Sequence, residues 1–549
     1  MKKRLLPVLT IVSLLCSAMP AAAACFWLEQ GSAANWKAWP KAATKQACFE
    51  LDSCAGGLGK SGGGCYKWSS TAPAHAEAWL ATGGVVARTD AKVIVVGSGL
   101  TGLTVAYELK KAGIDALVVE SSSRVGGRVQ TVTFPDGQTA EGHMEEYFER
   151  SPAYALLKEL KLPLIEDVAH STVRLEGKIY PYTGDGDRDT YLSGIFNAEE
   201  KAAFLRWNNK AWRLYEELHE SHYSGKPLPH ELVELTQISF KDWVEGDQLP
   251  RKVSEWIRVT TEPEMAIEWD RISALDGIDE VRLFLDTPDG FGELNFHVDG
   301  GNSKFTGALA AQLKPDQILT NARVSAIEQT ADGVKVRLLW QDRDYAELNG
   351  KMVVVTAPIS TLGRIQFLPA LEADKWKAIN TTKMGSYIKV HFRMAPGASK
   401  RWTVNGENLL TLLSDTQAGS IYDVGDLQGE GAEKEGLLTL LLHARFARDL
   451  MGKPVDEIRA ESIKALDALF PGAGSDVRDT EIFVYPQAVA YWPLDLGRSR
   501  FDDLANALRR PQGRLYIGGD TTEDSHSEGA IVAALRMSKD IIHRKAELN

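Results

Sequence analysis

The 549-residue sequence predicts an α/β protein organised around one strand, a glycine-rich turn, a helix and a second strand. The apolar, β-branched run from Val93 to Val96 suits a strand that is buried on both faces. A helical pattern follows from Leu100 and ends at Gly113, a glycine suited to the C′ position. A second apolar run begins at Ala116. Four cysteines confined to residues 25–65 add a small, separate N-terminal segment to this prediction.

The turn between the strand and the helix has the pattern G-x-G-x-x-G. Gly97 permits the tight turn, Gly99 lets a pyrophosphate approach the backbone, and Gly102 lets helix and strand pack closely. Glu120 ends the second strand, where an acid binds the hydroxyl pair of a ribose. Glycines between a strand and a helix are often only structural. The full order of strand, glycines, helix, strand and acid nevertheless predicts a dinucleotide site.

The next segment identifies the dinucleotide through a family resemblance. It reads Ser-Ser-Ser-Arg124-Val-Gly126-Gly127-Arg128, and R-x-G-G-R after such an acid resembles the flavin-containing amine oxidases. The resemblance implies that the paired glycines and Arg128 lie along the FAD diphosphate, a role that suits a planar, bidentate guanidinium. The alternative is a glycine-rich turn with two solvated arginines. Nicotinamide-dependent dehydrogenases generally lack this segment, so FAD is favoured.

The resemblance covers about residues 90–549 and implies a particular domain arrangement. A discontinuous Rossmann-like FAD-binding domain would carry an inserted α+β substrate domain, with a small disulfide-rich segment at the N-terminus. The predicted FAD-binding parts are 91–150, 296–358 and 486–549, and the predicted substrate parts are 151–295 (mainly helical) and 359–485. The predicted N-terminal segments are a signal peptide at 1–24, a cysteine-rich segment at 25–70 and a linker at 71–90.

Further cofactor-binding residues follow from the resemblance. Val324 matches a valine that touches the adenine side of FAD, and Asp520 would meet the ribityl chain. Gly529 and Ala530 open the last helix, whose free N–H groups and dipole would face the pyrimidine edge of the flavin. No cysteine lies beyond Cys65, so FAD is expected to bind non-covalently.

The resemblance also implies the catalytic residues. Lys389 matches the lysine that holds a water against flavin N5, although a lysine in a β-run is usually an edge residue. Trp492 matches an aromatic residue against the flavin face. Where the family has a second aromatic residue, the nearest large residue in this sequence is His526. The segment that contains it is shorter than in monoamine oxidases and similar in length to that of renalase-like flavoproteins. Residues 141–148 match a loop near the flavin, whose carboxylates would attract an ammonium group or simply be solvated.

The N-terminus reads as an export signal. Lys2, Lys3 and Arg4 precede an apolar run, and an A-x-A pattern ends at Ala24. The prediction is a periplasmic or secreted protein without an integral membrane span, because no later segment reaches about 18 uninterrupted apolar residues. There is no twin arginine. A lipid anchor at Cys25 is disfavoured, because Ala22 stands where a lipobox normally has leucine.

Cysteine usage supports export. Cys25, Cys48, Cys54 and Cys65 lie in one short segment and predict two disulfides, with three pairings open. Without a C-x-x-C pair, zinc or another metal is not predicted. The segment is interpreted as a disulfide-stabilised extension of the enzyme, with a docking module for a partner protein as the alternative.

The net charge of the protein indicates which classes of ligand it binds. The formal net charge of −12 argues against nucleic acid or anionic lipid as the main partner and fits a cationic ligand.

The predicted function is that of an exported FAD-dependent oxidoreductase acting on a small-molecule amine. By resemblance, hydride would pass to flavin N5, the imine product would hydrolyse, and O2 or an electron-transfer protein would be the acceptor. Three alternatives stay open. They are an L-amino-acid oxidase, for which Arg174 is a candidate carboxylate ligand, a desaturase of apolar substrates, and a partner-binding flavoprotein with little catalysis.

Overall fold

A computed structural model describes most of the chain beyond residue 87. The described residues are 24–29, 37–38, 64–69 and 88–548, without 135–136, 168–170, 183–187, 225, 285–293, 341–342, 425–435, 495–496 and 524. The chain divides into two compact units, Met1–Leu80 and Ala81–Asn549.

The first unit contains a small antiparallel sheet. Its described strands, in spatial order, are Lys37–Ala38, Ala24–Glu29 and Gly64–Ser69. Cys25 pairs with Trp68 and Cys65 pairs with Leu28, so two of the four cysteines stand on neighbouring strands. The predicted signal peptide up to residue 23, Cys48, Cys54 and most of the predicted linker lie outside the described residues.

We expect Cys25, Cys48, Cys54 and Cys65 to form two disulfides, because all four lie in one short, glycine-rich stretch of sequence. Thiol titration of the denatured, unreduced mature protein should therefore find close to no free thiol. After reduction, four thiols should react. Four reactive thiols before reduction, or stoichiometric zinc, would contradict the prediction.

The second unit is a mixed α/β structure built on a parallel sheet, as the sequence predicts. Among the described residues this sheet has five strands, which in spatial order are Ile318–Leu319, Ala116–Val119, Val93–Val96, Met352–Val355 and Leu515–Ile517. Every residue of the three central strands is buried, as expected for a parallel sheet covered on both faces. The helix Leu100–Lys111 follows the central strand, and Gly113 has a φ of +69°, as expected of a C′ glycine.

One predicted strand proves to be two. The run from Ile318 to Val324 was expected to be continuous, but it breaks at Asn321, where φ is +54°. Ile318–Leu319 stays in the parallel sheet, while Arg323–Gln329 joins a second sheet. The strands of that second sheet, in spatial order, are Arg343–Gly350, Val334–Trp340, Arg323–Gln329 and Gln366–Leu368.

A mixed sheet of seven described strands carries Lys389. Its strands, in spatial order, are Lys178–Tyr180, Thr172–Leu175, Leu412–Ser414, Ser420–Asp423, Leu437–His443, Tyr387–Met394 and Val477–Tyr485. The predicted strand 384–390 is interrupted at Gly385, where an added Cβ would lie 2.6 Å from the Ala266 carbonyl oxygen. The strand therefore resumes at Tyr387, and Lys389 is paired on both sides, with Leu441 and Phe483.

The region 151–295, which the sequence predicts to be mainly helical, also contains strands near its start. The helix Pro152–Glu159 is followed by the strands Leu164–Asp167, Thr172–Leu175 and Lys178–Tyr180, and the described elements from Arg188 to Phe284 are helices. The long helix Ala198–Ser224 follows, and its large apolar residues are core, as predicted. They are Phe204, Trp207, Trp212, Leu214 and Leu218, which share one buried cluster.

The remaining described elements complete the second unit. Shorter strand pairings join Tyr147–Phe148 and Leu164–Asp167 to Asn295–Val298, Thr131–Thr133 to Thr139–Glu141, Lys383–Met384 to Ala490–Tyr491, and Thr403–Val404 to Glu407–Asn408. The other α-helices are Pro152–Glu159, Arg188–Ile195, His230–Glu234, Phe240–Gly246, Arg251–Met265, Ala274–Asp279, Val281–Phe284, Ser303–Ala311, Ala373–Thr381, Ala444–Leu450, Val455–Leu469, Asp503–Arg509 and Ser527–His543. The 3-10 helices are Pro315–Gln317, Ile359–Arg364, Ala398–Arg401, Ala473–Asp476, Asp520–Thr522 and Lys545–Leu548.

None of the helices that the structure describes is long and apolar enough to cross a membrane. Among the described residues, no group of three or more metal-ligating side chains is brought together.

Candidate active site

The glycine-rich turn is closely packed on one side and open on the other. Gly97 has a φ of +107°, and a Cβ on Gly102 would lie only 2.0 Å from the Gly97 carbonyl oxygen. A Cβ on Gly99 would meet no atom within 4 Å. Gly97 and Gly102 therefore serve the turn and the contact between helix and strand. Gly99, at the N-terminus of the helix, leaves its space to a ligand, as expected for a phosphate cradle.

Glu120 lies at the carboxyl edge of the parallel sheet. Its Oε2 accepts hydrogen bonds from Ser98 N–H at 2.9 Å and Ser98 Oγ at 2.8 Å, and its Oε1 accepts one from Ser122 N–H at 2.8 Å. Its backbone carbonyl accepts from Ala322 N–H at 2.8 Å. That bond brings the strand of Val324 to the same edge, so two predicted cofactor residues lie beside the glycine-rich turn.

Arg128 and Asp520 form an ion pair, although they are separated by 392 residues. Arg128 Nη1 also donates to the Ala488 carbonyl oxygen at 2.7 Å. The second carboxylate oxygen of Asp520 is buried and has no hydrogen-bond partner among the described residues. A buried acceptor of this kind needs a donor, and a ribityl hydroxyl of FAD would supply one.

The last helix begins beside Asp520. Ser527–His543 has His526 as its N-cap residue, and Gly529 and Ala530 are buried in its first turn. The first N–H groups of any helix lack intrahelical acceptors and attract negative charge. Together with the open space at Gly99 and the free oxygen of Asp520, this helix terminus fits a dinucleotide with a flavin ring.

Lys389 is buried in the seven-stranded sheet and reaches the loop before Tyr147. Its side chain is 2% exposed. Its Nζ donates to the His143 carbonyl oxygen at 2.5 Å, more weakly to the Glu141 carbonyl oxygen at 3.4 Å, and to the carboxylate of Glu145. The loop is thus neither simply solvated nor free to bind an ammonium group through Glu145, because Lys389 already pairs with that carboxylate.

The groups beside Lys389 have shifted pKa values. Burial raises the pKa of Glu141 to about 8, although Asn302 N–H and Thr131 Oγ1 donate to its carboxylate. Burial, with smaller contributions from the charges of Arg128 and Lys389, holds the pKa of His143 well below its ordinary value. Both shifts favour the neutral form of the side chain.

A cavity lies between residues that are predicted to contact the flavin and an acidic cluster, which comprises Asp276, Asp279 and Glu280. Trp492, which is 4% exposed, lines it together with Asp520, Asp276, Glu280 and Arg500.

His526 lies next to this acidic cluster. Its Nδ1 is 3.6 Å from Glu280 Oε2, and its Nε2 is 3.9 Å from Glu264 Oε2. The three predicted catalytic residues thus divide into two places, with Lys389 at the loop 141–145 and Trp492 and His526 at the acidic cluster.

Arg500 and two histidines contact the carboxylates of the acidic cluster. Arg500 pairs with Asp279 at 2.7 Å and with Glu280. Asp276 is 5% exposed, and neither of its carboxylate oxygens has a hydrogen-bond partner among the described residues. Burial raises the pKa of Asp276 to about 7 and that of Glu264 to about 7.

The sequence patterns do not identify this cluster, and they do not show where Arg174 lies. Asp276, Asp279 and Glu280 lie in apolar sequence, and acids in such a run were the available signal. Arg174, considered for substrate binding, pairs with Asp415 in the seven-stranded sheet and does not line the cavity.

Residues 100–542 match the family model described as flavin containing amine oxidoreductase. A flavin-containing amine oxidase from Oncorhynchus mykiss is 26% identical over 491 residues, covering 84% of this chain and 88% of the relative. A nicotine dehydrogenase from Pseudomonas putida is 23% identical over 468 residues, covering 82% of this chain and 88% of the relative.

The fold is also that of a solved structure. A putrescine oxidase bound to putrescine superimposes with a TM-score of 0.68 at 21% identity, covering 83% of this chain and 99% of that one.

Proposed function

Because the chain belongs to the family of flavin containing amine oxidoreductases, with FAD as the cofactor, we propose that it oxidises a small amine to an imine. Water then hydrolyses the imine to a carbonyl compound and ammonia or a smaller amine. FAD, when bound, supplies the acceptor for the hydride that leaves the carbon next to nitrogen. O2 or an electron-transfer protein takes the electrons onward.

The observation that carries the proposal is the cavity in which Trp492 and Asp520 face Asp276 and Glu280. Asp276 is a buried carboxylate whose oxygens have no hydrogen-bond partner among the described residues, and such a group attracts an ammonium group and is stabilised by it. Asp276 and Glu264, with pKa values of about 7, also suit the exchange of a proton with an amine near neutral pH. Arg128 and Asp520 hold the cofactor side of the cavity, and Trp492 forms a wall.

The test is anaerobic mixing of the FAD-loaded protein with amines, followed at the visible flavin absorbance. We expect small primary amines to bleach the flavin and to give the matching carbonyl product. L-amino acids as the only effective substrates would favour the amino-acid oxidase alternative. No bleaching by any amine or amino acid in a broad screen would contradict the proposal.

The cavity disfavours two alternatives. An amino-acid oxidase needs an arginine free to bind a carboxylate, but Arg500 is already paired with Asp279 and Glu280. A desaturase would place an apolar substrate against buried carboxylates, which costs free energy because those groups gain no partner.

We further propose that the substrate carries a second cationic group, as a diamine does. The reacting nitrogen would lie at the flavin side, and the second ammonium would lie at Asp276. We expect the KM of a diamine to fall as pH rises through about 7, because Asp276 and Glu264 then lose their protons and gain negative charge.

Replacing Asp276 by asparagine removes one charge at nearly constant shape. We expect Asp276→Asn to raise the KM of a diamine about tenfold, or ~1.4 kcal/mol, and to flatten its pH dependence, while a monoamine is unaffected. Asp270→Asn is the matched control, because Asp270 is exposed. A diamine and a monoamine affected equally by Asp276→Asn would refute the second cation subsite.

The remaining features of the proposal concern how FAD is attached and where the protein is located. FAD binds non-covalently, which is supported by the lack of any cysteine beyond Cys65, and acid precipitation should release all of it. The protein is exported, which is supported by the basic and apolar residues at its start.

A further inference from the structure

The ammonium group of Lys389 is completely engaged by one loop. An ammonium has three protons, and Nζ contacts three acceptors: the carbonyl oxygens of His143 and Glu141 and the carboxylate of Glu145. Lys389 is only 2% exposed, so among the described residues this loop supplies the acceptors for its ammonium group. The loop therefore fixes both the position of the ammonium and the directions of its N–H bonds.

Glu145 is the group that balances the charge. Glu141 contributes only its carbonyl oxygen, and its own carboxyl is neutral because burial raises its pKa to about 8. His143 likewise contributes a carbonyl oxygen. Of the described groups that contact Nζ, Glu145 alone brings a carboxylate to the buried cation. The main chain of Glu145 is held in turn by Asn302, whose side-chain N–H donates to its carbonyl oxygen at 2.5 Å.

The same loop is attached to the residues that fit the cofactor. Gly142 N–H donates to the Gln130 carbonyl oxygen at 2.7 Å, and Met144 N–H lies 3.5 Å from the Arg128 carbonyl oxygen. Arg128 in turn pairs with Asp520. His143 lies close enough to both Arg128 and Lys389 for each charge to lower its pKa. The loop thus connects the Lys389–Glu145 pair to Arg128 and Asp520, which lie on the cofactor side of the cavity.

We propose that Glu145 is a positioning residue that fixes the Lys389 ammonium beside the flavin and cancels its charge there. The inference rests on the proposed function, because it takes FAD to occupy the site. Reduction adds negative charge to the flavin, and a nearby cation favours the reduced form. The carboxylate of Glu145 offsets this effect, so the pair sets how easily the flavin is reduced.

The test measures the flavin reduction potential against reference dyes, with no amine present. Glu145→Gln keeps a hydrogen-bond acceptor near Nζ and removes the charge. It should favour the reduced flavin about tenfold, or ~30 mV. Glu145→Asp keeps the charge and should stay within about threefold of wild type. Glu149→Gln, an exposed carboxylate four residues along, is the matched control and should change nothing.

A second pair of variants tests the compensation of charges. Lys389→Met should disfavour the reduced flavin, and the double variant with Glu145→Gln should return near the wild-type value. The double variant leaves no buried charge unpaired, so it keeps the test valid if Glu145→Gln alone fails to hold FAD. A potential unchanged or lowered in Glu145→Gln would overturn the proposal, as would a double variant that differs tenfold from wild type.

Failure of the proposed function and failure of the role proposed for Glu145 would give different combinations of results. A protein that binds FAD but oxidises no amine would still show these potential shifts. A protein that oxidises amines without the shifts would retain its function and lose only the role proposed for Glu145.

Discussion

Replacing Gly99 by tryptophan is expected to abolish FAD binding while the protein still folds. A Cβ at this position would meet no atom of the described residues within 4 Å, so the fold can accommodate the start of a side chain there. The same space is where a pyrophosphate would approach the helix N-terminus, and an indole ring would fill it. The purified variant should be colourless, with flavin content near zero by absorbance, and should unfold cooperatively near the wild-type temperature.

Two other glycines are the controls for this experiment. Gly363→Trp alters an exposed glycine with equally open surroundings and should retain FAD. Gly102→Ala should instead destabilise the fold, because its Cβ would meet the Gly97 carbonyl oxygen at 2.0 Å. A Gly99→Trp protein with normal flavin content would refute the assignment of the glycine-rich turn to the cofactor.

Lys389→Met is expected to leave FAD bound and to slow one half-reaction of the flavin at least about tenfold, ~1.4 kcal/mol of barrier. The variant removes the ammonium that orients the loop 141–145 and leaves Glu145 without its partner. Slower reduction would indicate a role in substrate positioning, and slower reoxidation a role in the reaction with the acceptor. Stopped-flow absorbance measures the two separately.

Lys375 provides a matched control for Lys389. It is also buried, at 1% exposure, but its Nζ donates to the carbonyl oxygens of Ala507 and Arg510 at the end of a helix. Lys375→Met should lower the free energy of unfolding without changing either half-reaction. If both half-reactions of Lys389→Met match wild type, Lys389 is structural and its assignment to the catalytic face is wrong.

Local patterns predicted the parallel sheet because they report on burial and turns. The strands at Val93 and Ala116 are uniformly apolar, the glycines between them are spaced for one turn, and Gly113 ends the helix. In each case the physical cause lies within about 20 residues of sequence. The same is true of the aromatic core of the helix Ala198–Ser224.

Contacts between distant segments were beyond the reach of these patterns. Nothing local to Glu145 or Lys389 shows that they form an ion pair, and nothing local to the acids at 276–280 shows that Trp492 and Arg500 lie beside them. The break at Asn321 arises because the chain must pass from one sheet to another. The site assignments taken from the resemblance stay predictions until the variants above are measured.

The ion pair between Arg128 and Asp520 has a consequence for the order of events in synthesis. A ribosome makes the chain from its N-terminus, so the glycine-rich turn is complete long before residue 520 exists. The strand Leu515–Ile517 and the helix Ser527–His543, which complete the sheet and the site, also come last. Cofactor capture is therefore a late event that needs nearly the whole polypeptide. A chain carried unfolded across a membrane would meet its FAD only on the far side.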